Sequence, residues 1–166
     1  ALFYGLAVAY KPIMLLISPI LWIVAIKKKQ LWQFPLVSGT IFFLTALPFV
    51  KMPWEVISFI YDRAVEQAGT YPYLSINAWN LWTITGNISW VPDNLTLLGI
   101  SGHSFGLFLF FTSLFLIFKS WFKTGFDPKL SYQLSALVLI IFYTVTSRMH
   151  ERHLLFGLPF LIIALI

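Results

Sequence analysis

An all-α membrane protein is the fold the sequence predicts, with about five transmembrane helices and an extracytoplasmic loop carrying short amphipathic or interfacial helices. Three observations predict it. Hydrophobic residues make up 59% of the chain and charged ones 10%, with a mean hydropathy of +0.84, more apolar surface than a water-soluble domain can hold. Apolar residues gather into five segments, near 2–26, 34–50, 95–118, 130–147 and from 154 onward. Lysines cluster between those segments, where basic residues mark the cytoplasmic ends of spans. Each segment must be helical, because backbone amides facing lipid have only one another to bond.

The same features exclude other classes. A net charge of +5 could suit nucleic acid, but its lysines sit in short runs between spans, so the basic balance reports topology and no nucleic-acid partner is expected. With no cysteine there is neither a disulfide framework nor a thiolate metal site. Three histidines without convergent carboxylates make a poor metal centre, so no metal is assigned and a divalent cation stays open as a cofactor. The first apolar run lacks a basic leader and a small-residue cleavage site, which argues against a signal peptide. The chain opens inside an apolar run and closes at Ile166, about 20 Å of helix beyond His153 against a bilayer core of about 30 Å. The expectation is one transmembrane region, 1–166, belonging to a larger protein.

Taken in order, the first segment holds Lys11-Pro12 and Ser18-Pro19, which predict a kink or two shorter helices. Lys27, Lys28 and Lys29 follow it, while Lys119, Lys123 and Lys129 lie between the third and fourth segments; both connections are assigned to the cytoplasm. Alternation then puts the long connection, 51–94, and the short one from Arg148 to His153 on the opposite, extracytoplasmic face. Within 51–94, Ile57, Ile60, Tyr61, Ala64 and Ala68 recur at helical spacing opposite Glu55, Asp62, Arg63 and Glu66. That pattern describes an amphipathic helix on the membrane surface, stopped by Gly69. Tyr71-Pro72-Tyr73 reads as an extended entry, and 75–84 as a second short helix with Ser75 as its cap.

Chemistry concentrates in two places. Ser147-Arg148-Met149-His150-Glu151-Arg152-His153 packs ionisable side chains between two spans, where charge at bilayer depth is costly unless paired or wet. As a helix, it would put Arg148 and Arg152 on one face to grip an anion such as phosphate, with Glu151 orienting them and His150 donating or shuttling a proton. A solvated interfacial turn is the alternative, yet arginines on the outer side run against the positive-inside bias. The second place is Tyr71-Pro72-Tyr73-Leu74-Ser75-Ile76-Asn77-Ala78-Trp79-Asn80-Leu81-Trp82. Asn77 with Asn80, and Trp79 with Trp82, set amides beside flat rings as sugar sites do; an aromatic belt with turn-capping asparagines is the alternative. Lys11 is either a snorkelling lysine or a phosphate ligand, and His103 is read as a satisfied interfacial residue. Asn87-Ile88-Ser89 and Asn94-Leu95-Thr96 match glycosylation acceptors.

On these two motifs, and on Lys11-Pro12, the chain resembles the C-terminal half of bacterial membrane mannosyltransferases related to the eukaryotic enzyme that adds the second mannose to GPI anchors. The second motif runs on through His153-Leu154-Leu155-Phe156-Gly157-Leu158-Pro159-Phe160. The resemblance implies a GT-C type glycosyltransferase of a bacterial inner membrane. Such an enzyme transfers a sugar from a polyprenyl-phosphate donor to a lipid or glycan acceptor at the outer face, among membrane lipids. It implies that Arg148, His150 and Arg152, with Lys11, meet the donor phosphate, and that Tyr73, Asn77 and Asn80, with Tyr71 and Trp82, lie beside the sugar or acceptor. The catalytic aspartate of that class sits in the first outer loop and is expected before Ala1, which would leave this stretch inactive alone. The rival class is a transporter or flippase of a lipid-linked or anionic substrate, disfavoured because the polar groups gather at one face and no repeat is visible. A structural subunit whose outer loop binds a partner would leave the Arg148 to His153 charges unexplained.

Overall fold

A computed structural model describes residues 1–85, 90–97, 99–124 and 127–165. The chain is mostly helical and divides into two compact units, Ala1–Thr70 and Tyr71–Ile166, so the boundary falls inside the 51–94 connection.

In the first unit the prolines set the breaks. Helix α1, Leu2–Tyr10, stops at Lys11, whose backbone is extended (φ −144°, ψ 102°) because Pro12 disfavours the helical conformation before it. A 3₁₀ helix, Pro12–Ile17, leads into α2, Ser18–Lys27, with Pro19 in its first turn where a missing N–H costs nothing. The first apolar run is therefore two short helices joined by a tighter turn. Tyr4 bridges the break through its hydroxyl, which bonds Ser18 Oγ. Helix α3, Gln33–Ala46, packs closely on α1: a Cβ on Gly5 would lie 2.6 Å from the Ser38 carbonyl oxygen, so only glycine permits this approach. Past a 3₁₀ turn at Leu47–Phe49, Met52 is again extended before Pro53, and the chain corners by 113° into α4, Val56–Gly69. Glu55 holds the corner by accepting hydrogen bonds from the Lys51 and Met52 amides, each 3.1 Å. On α4, Val56 is fully buried while Ile57 and Tyr61 stay open, together with Trp54 just before the helix.

The second unit is built on two antiparallel-neighbour helices, α5 (Gly102–Thr124) and α6 (Pro128–Val145). Asp127 caps α6 by accepting from the Lys129 amide at 3.0 Å. Around their ends lie β1 (Ser75–Ile76), a 3₁₀ helix at Leu81–Thr85, the hairpin β2 (Thr96–Leu97) with β3 (Ile100–Ser101), and β4 (Met149–His150). A 3₁₀ helix at Glu151–Gly157 then runs into α7, Leu158–Leu165. Trp82 is core here at 1% exposure and edge-on to Phe105, and Ala78, Tyr143 and Met149 form a buried cluster. A Cβ on Gly106 would lie 2.5 Å from the Val145 carbonyl oxygen, which makes glycine the residue that lets α5 meet the end of α6.

Two helices among the described residues, Gly102–Lys123 and Pro128–Val145, are long and apolar enough to cross a membrane, or three if the bent α3–α4 pair is one span. The other apolar runs are cut short by proline and 3₁₀ turns. Two expectations are corrected. The third apolar segment becomes helix at Gly102 and not near Leu95, since Thr96 and Leu97 pair with Ser101 and Ile100 as strands. Residues 75–84 do not form one helix either: Ser75 and Ile76 are strand, Ser75 Oγ closes a turn by accepting from the Ala78 amide at 3.2 Å, and only from Leu81 does the chain turn into a 3₁₀ helix.

Candidate functional site

The Tyr71 to Asn80 stretch and the Arg148 to His153 stretch meet through backbone pairing. Strands β1 and β4 run parallel, with Ser75 opposite Met149 and Ile76 opposite His150. One residue earlier, the Arg148 amide donates to the Tyr73 carbonyl at 2.8 Å. A third strand of chain locks in beside them, because the Asp93 amide donates to Pro72 O at 3.0 Å and the Leu74 amide to Val91 O at 2.7 Å. The first turn of α5 joins through the His103 amide, which donates to Asp93 O at 3.0 Å.

Side chains then build an ionic core on that scaffold. Arg148 Nε donates to Asp93 Oδ2 at 2.6 Å, with the Asp93 side chain only 8% exposed and that of Arg148 29%. A carboxylate so far from water needs a cation, and the guanidinium supplies charge and a directed N–H together. His103 Nδ1 lies 2.7 Å from Ser147 Oγ and 3.9 Å from Asp93 Oδ2, at the edge of the ion pair. Arg148 itself has φ of +64°, a left-handed conformation that costs a residue with a Cβ about 1 kcal/mol or more and persists only where the surroundings impose it. Asn77, at φ +55°, is a second such residue on the facing stretch.

Several expected roles change with this geometry. Arg148 and Arg152 do not share a helix face: a left-handed residue and a strand separate Arg148 from the 3₁₀ helix that carries Arg152. Arg152 is exposed, and Arg148 is committed through Nε to Asp93. His150 meets Tyr71 edge-on, with ring centres 5.1 Å apart, and its amide donates to His153 Nδ1 at 3.0 Å. Tyr73 is half-buried and edge-on to Trp90 at 5.0 Å. Asn77 is exposed, whereas Asn80 is 7% exposed, its Oδ1 accepting from the Trp82 amide at 3.1 Å and its Nδ2 buried without a hydrogen-bond partner among the described residues. Trp82 offers no ring face to a sugar, because it is core and its Nε1 donates to Val145 O at 3.0 Å. Trp79, 77% exposed, and Trp90, 58% exposed, present the open indole surfaces instead. Lys11 is half-buried at the break after α1, in the unit Ala1–Thr70. The Glu151 side chain and the acceptor Asn87-Ile88-Ser89 lie outside the described residues, and Asn94 is exposed.

Sequence reasoning passed over Asp93, and gave His103 and Ser147 no role in a site. A signal for Asp93 did exist: it is the one acidic residue between Glu66 and Asp127, set among outer-loop aromatics. Among the described residues no three His, Asp or Glu side chains gather to hold a metal ion. Comparison of the chain with protein-family models, curated proteins and solved structures finds no match.

Proposed function

We propose that this chain forms the donor-phosphate and acceptor side of a GT-C type glycosyltransferase, a mannosyltransferase by resemblance, working at the outer face of a bacterial inner membrane. The donor is a polyprenyl-phosphate sugar and the acceptor a lipid or glycan. The observation that carries this reading is the parallel pairing of Ser75–Ile76 with Met149–His150, since it joins the aromatic and amide stretch to the basic one. As a glycosyl phosphate bond breaks, negative charge builds on the departing phosphate, and guanidinium groups fixed beforehand stabilise that state more than the ground state. Asp93 supports the reading as the anchor that fixes Arg148, while exposed Arg152 is the residue with reach toward a phosphate. Asp93 is not cast as the base, because its Oδ2 is already engaged by Arg148.

Arg152→Ala is expected to lower sugar transfer from a polyprenyl-phosphate donor about 10²-fold, the loss typical of one removed charge-stabilising donor. Membrane insertion should be unchanged, because Arg152 is exposed. Transfer at the parental rate would remove the phosphate-gripping role. The five-span topology, in which the broken first run and the segment after His153 each cross the bilayer, has a separate check. Cysteines placed at Ser75 and at Lys28 should react with membrane-impermeant reagents from opposite sides, and same-side labelling would overturn the orientation.

A further inference from the structure

We propose that the groove between α5 and α6, at the end far from the ionic core, is a binding site for one anionic phospholipid. It does not depend on the transferase reading. A cavity of about 360 Å³ opens there, lined by Leu116, Ser120 and Trp121 of α5 and by Leu130, Leu134 and Leu137 of α6. The spacing on each helix places these residues along one face, and the groove lies between the two helices with the length and composition to span a membrane. An acyl chain is the apolar ligand such a face meets.

Charge at the mouth selects the headgroup. Lys123 follows Leu116 by about two turns on the same face, one turn past Ser120. Lys119 follows Leu116 by three residues, and Lys129 stands in the first turn of α6, at the end of that helix where the groove's Leu130 lies. All three lysines are exposed, and among the described residues none is paired with a carboxylate; Asp127, the nearest acid in sequence, uses Oδ1 to cap α6. The positive-inside bias accounts for the side on which lysines fall but not for an apolar groove ending beneath them. A basic mouth over a groove between spans is the arrangement that takes a phosphate headgroup with its chain below, whereas a soluble anion fills only the mouth and a neutral lipid only the groove.

The chain is placed in phosphatidylcholine nanodiscs containing a small fraction of phosphatidylglycerol with brominated acyl chains, which quench tryptophan on contact. Quenching of Trp121 is taken as the difference between the parent and Trp121→Phe. Brominated phosphatidylglycerol should quench at a lower mole fraction than brominated phosphatidylcholine, by about fivefold for each lysine engaged, and the preference should shrink in high salt. The combined variant Lys119→Gln, Lys123→Gln, Lys129→Gln changes exposed side chains only and should quench equally with both lipids. Three results would overturn the site: equal quenching of the parent by both lipids, an undiminished preference in the lysine variant, or the same preference in Trp121→Phe. Loss of the preference on adding millimolar inorganic phosphate at constant ionic strength would also overturn it, by assigning the mouth to a soluble anion.

Discussion

Asp93→Ala is expected to destabilise the unit Tyr71–Ile166 by about 3 kcal/mol, the lower part of the range for breaking a buried ion pair from one side. The lower part applies because Arg148 keeps 29% exposure and recovers some hydration once its partner is gone. That figure is the cost of leaving a half-buried guanidinium without its carboxylate. Replacing both partners, as Asp93→Leu with Arg148→Met, should recover most of the loss, since two well-packed apolar side chains leave no charge to solvate. The measurement is unfolding of the detergent-solubilised protein by increasing SDS, followed by tryptophan emission. If Asp93→Ala unfolds at the parental SDS fraction, the ion pair is an ornament on a site held by its backbone bonds alone.

Trp82→Ala should cost more, about 4 kcal/mol. Truncating a buried aromatic removes its transfer free energy and leaves a cavity, for about 3 to 5 kcal/mol, and the ring here is 1% exposed. A hydrogen bond is lost as well, because Trp82 Nε1 donates at 3.0 Å to the Val145 carbonyl at the end of α6. Trp82→Phe separates the two, keeping much of the volume while losing the donor, and should cost about 1 kcal/mol. The exposed neighbour supplies the control: Trp79→Ala, at 77% exposure, should leave the SDS midpoint in place. Equal shifts at the two tryptophans would show that the ring's burial does not hold this unit together.

How much of this was written in the sequence depends on the range of the force involved. Prolines act on their neighbours, so the breaks at Lys11 and Met52 follow from Pro12 and Pro53, and the split of the first apolar run could be read directly. Periodicity is also local, which is why α4 is found where Ile57, Ile60 and Tyr61 recur. The 75–84 stretch deceived for the same reason: a spacing of three between Asn77 and Asn80 suits a turn as well as a helix, and burial divides Trp79 from Trp82. Leu95 and Ile100 look like the start of a span by composition, yet they flank and join a hairpin whose pairing, Thr96 with Ser101, no window average reports. The site itself is the least legible part. Its register, Ile76 on His150, joins segments distant in the chain, and the partner of Arg148 is a lone aspartate that no motif frames.

The carbonyl of Val145 has a bearing on the order in which the molecule assembles. The last carbonyls of a helix have no intrahelical partner, and in this chain the one at Val145 accepts from Trp82 of the connecting segment. The α5 and α6 pair can enter the bilayer early, since their interior bonds close within each helix. The rim of α6 is completed only with residues 71–85 folded against it, so the joining of the two polar stretches and the completion of this helix end are one event.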